Sequence, residues 1–434
     1  MDIDDLLEDH ATERVPDSRT VSGLRVGLLY SAQAFGIPGL VGGVEIGSAL
    51  GLTAATGSFI AGGVFLAVLG SITAIIGVKA RLTSYMLTQF AFGQIGSKVV
   101  NLAFALSQFG WFGVQVGLFG RAARGIGTDQ FGLQLGEANY VLAGGFIMVF
   151  TTMFGFRLLN RLALVVVPLM VTLIAVLLYK VLSDQPIAAI LDIAATNKFS
   201  FNDGVAAAVG SLILGAILIP DVARFSRTKG GAVFASILTF LIATTFVYVT
   251  AAIASLATGK DDTLQIMIAM GLGAGAFALI IFSTWTANSI NLYGSSLSMS
   301  AVLPRFAGWR MTVSCGIVGT LAAFAGILDH FIPFLIYLSI LFIPVGSIYI
   351  TDFFLLKSQD YKMEDLALQR PVSWEALFAW LLGSLISYAT IEEIFFLTGS
   401  STIDALLIPG AVYYFLMRSR KTRAVASLNR GNGS

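Results

Sequence analysis

Long stretches without a single Asp, Glu, Lys or Arg alternate with short polar connections along the chain. Uncharged runs occupy 99–120, 138–156, 162–179, 204–220, 230–259, 311–328, 331–351, 376–391 and 405–417. A further run, 263–304, holds one span and a polar extension. The interval from Arg25 to Lys79, whose only charge is Glu45, has room for two. A helix that crosses the hydrocarbon core needs about 20 apolar residues at 1.5 Å rise. The pattern therefore predicts an all-α, polytopic membrane protein with twelve transmembrane helices. The uncharged stretch 82–97 carries Thr83, Ser84, Thr88, Gln89 and Gln94 and reads instead as an interfacial connection.

Composition agrees with that pattern. Of 434 residues, 56% are apolar and 12% charged, and the mean hydropathy is +0.84; a soluble protein has about 25% charged residues. The 26 basic and 25 acidic side chains nearly cancel, which gives no basic face for nucleic acid. One cysteine, Cys315, excludes an internal disulfide, and two histidines leave no zinc cluster. No paired acids, metal cluster or activated nucleophile lies at membrane depth, so an enzyme is not expected. A Gly-x4-Gly-Lys-Ser/Thr loop for an ATP-driven pump is missing too. No cofactor and no obligate protein partner are expected.

With the N-terminus cytoplasmic, 21 Lys and Arg fall on inner segments and 5 on outer ones. This positive-inside bias predicts a multi-pass protein of the inner or plasma membrane with both termini cytoplasmic. Residues 1–24 are polar and acid-rich, without the basic start and apolar core of a cleavable signal. They are expected to be disordered, as are Ser427 to Ser434.

Four places break the rule that lipid-facing helices satisfy themselves. The first span contains Gln33-Ala-Phe-Gly36-Ile-Pro38-Gly39 at its middle, which reads either as a kink or as an unwound segment. The sixth carries Gly210-Ser211 and Gly215 and ends Ile219-Pro220-Asp221. Gly36 and Ser211 are 175 residues apart, and the same offset carries Trp111 to Thr286. Two five-helix halves with broken first helices are the pattern of inverted-repeat transporters, whose site lies at the midplane. The eighth span, with Ser283, Thr286, Asn288 and Asn291, is the most polar; its amides either line a cavity or glue helices together. In the third, Trp111 and Gln115 share a helical face. That pair suits a flat heterocycle, stacked on its face and hydrogen-bonded at its edge, or simple packing.

The residues resemble the nucleobase–cation symporter family that includes the cytosine permeases and the bacterial hydantoin transporter. The likeness runs from about residue 25 to 420. It rests on Gly77-Val-Lys79 with Phe90-Ala-Phe-Gly93, Gln108-Phe-Gly-Trp111-Phe-Gly-Val114, and Gly210-Ser211 with Asp221-Val-Ala-Arg224-Phe225. Trp285-Thr286-Ala-Asn288 with Leu292-Tyr293, and Pro344-Val-Gly346 with Thr351-Asp352-Phe353, complete it.

The resemblance implies a LeuT-type fold with five plus five inverted helices and two extra. The halves then run 25–182 (helices 1–5) and 183–356 (helices 6–10), with helices 11–12 in 357–420 and tails at 1–24 and 421–434. It implies cation-coupled import of a nucleobase-like heterocycle by alternating access. The runner-up is a thiamine-precursor or small-amine transporter of the same fold, driven by protons. Substrate would meet Gln33, Trp111, Gln115, Gly210, Ser211, Leu212, Ser283 and Asn288. A sodium ion would use Ala32, Phe35, Ser283 and Thr286. Two positions depart from the family: Leu212 replaces an aromatic that closes a sandwich over the base, and Ala287 removes one hydroxyl ligand of the cation. The coupling ion is therefore left between sodium and a proton, with Glu45 as the acid available to the latter. The family's Asp221 and Arg224 are expected to pair at the cytoplasmic rim, and Asp352 to cap an inner helix end.

Overall fold

The computed structural model describes residues 13–154, 156–273, 308–395 and 397–431, together with 277, 281–285, 287, 288, 291, 292, 295 and 299. Among these residues the regular elements are helices, plus one isolated parallel bridge between Val21 and Ser226. Seven of the described helices are long and apolar enough to cross a membrane. The longest, Ile37–Ala80, has 44 residues, about 66 Å at the α-helical rise and twice the hydrocarbon thickness. Gly51 divides it into two apolar arms, with φ 73° and ψ 163° that a side chain would oppose. Further predicted spans lie on Glu137–Phe154, Gly308–Phe324 and Ser401–Gly431. The described residues of the eighth span are helical. The expected interfacial connection is a nine-residue helix, Ser84–Phe92, capped by the Thr83 hydroxyl, which accepts from the Met86 amide.

The helices pack in two groups. Ile37–Ala80 lies against Phe201–Leu218 and Thr244–Thr258, and Phe201–Leu218 lies on Phe331–Thr351. A second group joins Gly96–Phe131, Glu137–Phe154 and Gly308–Phe324. It has its own apolar cluster of Phe109, Phe112, Phe119, Met148, Leu292 and Cys315, which includes the eighth span. Association inside lipid depends on close van der Waals fit. Gly47 provides it in the first group, where a Cβ would stand 2.5 Å from the Ala252 methyl.

Residues 13–22 and 427–431 are more ordered than their composition predicts. Val15 is buried, and its amide donates to the Arg81 carbonyl at 3.1 Å. The Val21 amide donates to the Phe225 carbonyl at 2.8 Å and the Arg227 amide to the Val21 carbonyl at 2.9 Å. The Arg81 guanidinium donates to the Arg224 and Ser226 carbonyls and lies 3.5 Å from the Asp17 carboxylate. Burial pushes the Arg81 pKa below its ordinary value, and Asp17 opposes that shift. Residues 13–22 are thus held by backbone pairing that a composition argument does not detect. At the other end, Ser401–Gly431 continues past the predicted boundary at Ser427. No glycine or proline interrupts it between Ala411 and Arg430.

Candidate functional site

The first span is interrupted. Helix Gly23–Ser31 passes into a 3-10 turn, Ala32–Phe35; Gly36 is extended (φ −75°, ψ 156°), and a new helix begins at Ile37. Pro38 lies in its first turn, where the missing amide breaks no helical bond and the fixed φ favours a start. The proline therefore begins the second arm and does not kink a continuous helix.

The sixth span behaves otherwise. Phe201–Leu218 runs through Gly210, Ser211 and Gly215 without a break, and the irregularity comes at Ile219-Pro220. The expected unwound backbone at Gly210-Ser211 is thus corrected. Gly210 is small because the Phe331–Thr351 helix crosses it: a Cβ there would lie 1.7 Å from the Leu335 carbonyl oxygen. Ser211 donates to its own helix, at the Ala208 carbonyl, 2.7 Å away.

Polar side chains instead gather where this helix ends. Residue 220 is proline, so the Ala216 carbonyl four positions earlier has no helical donor. The Thr73 hydroxyl donates to it at 2.6 Å. On either side, the Tyr30 hydroxyl donates to the Gly215 carbonyl at 2.6 Å and the Tyr349 hydroxyl to the Ile217 carbonyl at 3.0 Å. Gln33 Nε2 donates to the Tyr30 carbonyl at 3.1 Å. Tyr30 thereby anchors the break of the first span to the end of the sixth, and Gln33 braces Tyr30 from within the first span.

A cavity of about 440 Å³ lies beside this junction, between the two packing groups, a size typical of small-molecule sites. Its wall includes Ala32, Gln33, Phe35, Trp111, Gln115, Ser211, Leu212 and Ser283 of the predicted set. Leu29, Leu218 and Val166 extend the wall toward the end of the bundle that carries residues 13–22. Trp111 is held edge-on by Phe331 and Phe334, with ring centres at 6.1 and 5.6 Å and interplanar angles of 78° and 75°. Gln115 is buried, and its Oε1 has no hydrogen-bond partner in the protein. Among the described residues the wall carries no Asp, Glu, Lys, Arg or His.

Two predicted substrate residues are not in this wall. Gly210 packs on Leu335, as above. Asn288 is fully buried; its Nδ2 donates to the Phe112 carbonyl at 3.2 Å and lies 3.1 Å from Met148 Sδ. It joins helices within the second packing group, the alternative that an intramembrane amide always carries. Its neighbour Asn291 lines the cavity, as do Tyr30, Thr244 and Tyr248. Helical phase, which separates residues three apart by about 60°, could have pointed to Asn291. No sequence signal marked the Thr244 and Tyr248 face. Thr286 lies outside the described residues.

The acids of the sequence reading lie outside this wall. The Asp221 carboxylate accepts from the Ser84 amide at 2.6 Å, and Arg224 Nε donates to the Asp221 backbone carbonyl at 3.0 Å. Asp352 is buried and accepts from the Tyr361 and Tyr413 hydroxyls at 2.6 and 2.8 Å. Glu45 faces a separate cavity of about 60 Å³ with Arg121, Asp261 and Asp262. There Arg121 pairs with Asp329 and approaches Glu137 at 3.5 Å.

The fold agrees with the comparisons. Over 95% of its length the chain superposes on Mhp1 in an inward-facing conformation (94% of that chain, TM-score 0.82, 19% identity). It also matches Mhp1, a nucleobase-cation-symport-1 family transporter, closed with bromovinylhydantoin bound (94% of each chain, TM-score 0.78, 18% identity). The cytosine permease of Escherichia coli O157:H7 is 29% identical over 369 residues, 84% of each chain. Residues 15–407 match the family model for permeases of cytosine/purines, uracil, thiamine and allantoin. The chain is a membrane transporter with the LeuT-type fold, not an enzyme, and it belongs to the family of permeases for cytosine/purines, uracil, thiamine and allantoin.

Proposed function

We propose that this permease imports an uncharged, flat heterocycle of the nucleobase or hydantoin type, together with a cation. The carrying observation is the composition of the cavity wall: an indole set edge-on against Phe331 and Phe334, amides at Gln33 and Gln115, and no charged side chain among the described residues. A charged solute would lose its hydration there without gaining an opposite charge. A neutral ring keeps its stacking and loses only hydrogen bonds that the amides replace. That preference argues against a cationic amine or thiamine as cargo.

Substrate contacts are assigned to Gln33, Trp111, Gln115, Ser211, Leu212 and Ser283, with Asn291 added and with Gly210 and Asn288 acting as packing residues. Leu212 offers an aliphatic wall to the second face of the ring. Coupling is assigned to a sodium ion held near the Ala32 and Phe35 carbonyls and Ser283, with Thr286 as the fourth expected ligand. An ion there touches the same turn that carries Gln33, so ion and solute bias one element. Glu45, in its separate cavity, lacks that connection. Both termini are assigned to the cytoplasm, with the cavity in communication with that side.

The test is ligand binding and uptake by the full chain in proteoliposomes, with cytosine, uracil, allantoin, hydantoin and thiamine, each with and without sodium. A neutral ring should bind and be taken up, more strongly in sodium. Trp111→Ala should weaken its binding about 5- to 150-fold, the range for loss of one base–aromatic stack. Preference for thiamine, or unchanged binding in Trp111→Ala, contradicts the reading.

A further inference from the structure

The seventh predicted span, Lys229–Thr258, contains a π-helical segment, Ile237–Ala243. At its end the Thr244 amide and hydroxyl both donate to the Thr239 carbonyl, five residues back. Such bulges shift the phase of a helix and are frequent at functional sites. Thr244 and Tyr248, four apart and on one face, line the cavity immediately after it.

Tyr248 is fully buried, and its seat is built around it. The ring packs on Phe59 at 4.9 Å between centres and 42° between planes. It also lies across Gly42, where a Cβ would stand 2.8 Å from Cε1 and 3.1 Å from the hydroxyl oxygen. The hydroxyl meets no partner within hydrogen-bond geometry, and the Ser211 side chain that approaches it donates its own proton to the Ala208 carbonyl. Gln115 Oε1, on another helix of the same cavity, is unpaired as well. Buried polar atoms without partners are rare because each loses its hydration uncompensated. Two in one cavity wall have a common explanation in a solute that completes both.

We propose that Tyr248 is a specificity-determining residue whose hydroxyl donates to a ring carbonyl of the cargo while Gln115 Oε1 accepts from a ring N–H. This rests on the substrate site proposed above and narrows its chemistry to rings carrying both N–H and C=O groups, such as cyclic ureides, imides and oxopyrimidines. The phenol recognises the carbonyl, and the fixed ring limits where that carbonyl can lie.

Tyr248→Phe removes the hydroxyl and leaves the ring on Phe59 and Gly42. The experiment measures, on the purified full chain, melting temperature without ligand and affinity for uracil and hydantoin by calorimetry, for wild type and Tyr248→Phe. The expected result is an affinity about five- to tenfold weaker for whichever compound binds wild type. The unliganded melting temperature should be unchanged or higher, because an unpaired buried hydroxyl has been removed. Equal affinity in both proteins overturns the role of Tyr248 and leaves the substrate site intact. A lower melting temperature with unchanged affinity assigns the residue to packing and overturns it too. If neither compound binds wild type, the substrate class proposed for the cavity falls, and this inference with it.

Discussion

The first and sixth spans begin from similar sequence material and end differently. Both combine glycines with one proline, in Gly36-Ile-Pro38-Gly39 and in Gly210 to Pro220. In the first, Pro38 falls in the opening turn of a new helix, and the residues before it leave helical geometry. In the sixth, the glycines sit inside a helix that stays intact for 18 residues, and Pro220 falls at its end. The same residue types therefore serve opposite purposes. Near a helix start they permit a break, whereas inside a helix they admit a crossing neighbour.

That contrast can be broken at its glycines. Gly210→Ala would drive a methyl into the Leu335 carbonyl, 1.7 Å from an ideal Cβ. We expect a loss of about 3 kcal/mol, seen as a lower melting temperature and poor recovery of folded protein. Gly36→Ala meets Pro38 Cδ at 3.5 Å and the Gln33 carbonyl oxygen at 3.8 Å, both ordinary contacts, on backbone that any residue adopts. It should change stability by less than about 0.5 kcal/mol. Equal effects from the two would erase the distinction between break and crossing.

The next largest effect concerns the carbonyl that Pro220 leaves without an amide donor. Thr73→Val keeps the shape and deletes the hydroxyl that reaches Ala216. A buried carbonyl left unpaired there should lower stability by about 2 kcal/mol, measured by thermal melting in one detergent. No change would mean that the end of the sixth span is not held by these hydroxyls. The smallest effect is expected beyond that end. Asp17→Asn removes a carboxylate whose side chain is 90% exposed, opposite Arg81. It should cost less than about 0.5 kcal/mol, because the backbone pairs of Val15 and Val21 hold the segment. A loss above about 1 kcal/mol in the same assay would transfer that role to the ion pair.

The helical class and the break at Gln33 to Gly36 were legible in the sequence, since both follow from local rules: charge-free length and the placement of proline. Trp111 and Gln115 were legible as one face because helical spacing is fixed. The state of Gly210 was not, because a glycine in isolation does not say whether it bends a chain or receives a neighbour; Leu335 decides that from 125 positions away. Asn288 stands outside the cavity wall for a related reason. Its phase directs it toward Phe112 and Met148, partners contributed by other helices. The ordered segment 13–22 depends on pairing with residues 225 and 227, beyond the reach of any composition argument.

Backbone hydrogen exchange in the two spans tests the central claim most directly. In the unliganded full chain, amides of residues 33–39 should exchange far faster than those of 210–215, although both segments border the same cavity, because only the latter sit in an unbroken helix. Ligand should slow the former and leave the latter unchanged. Equal protection in the two segments, or fast exchange confined to 210–215, would contradict the account.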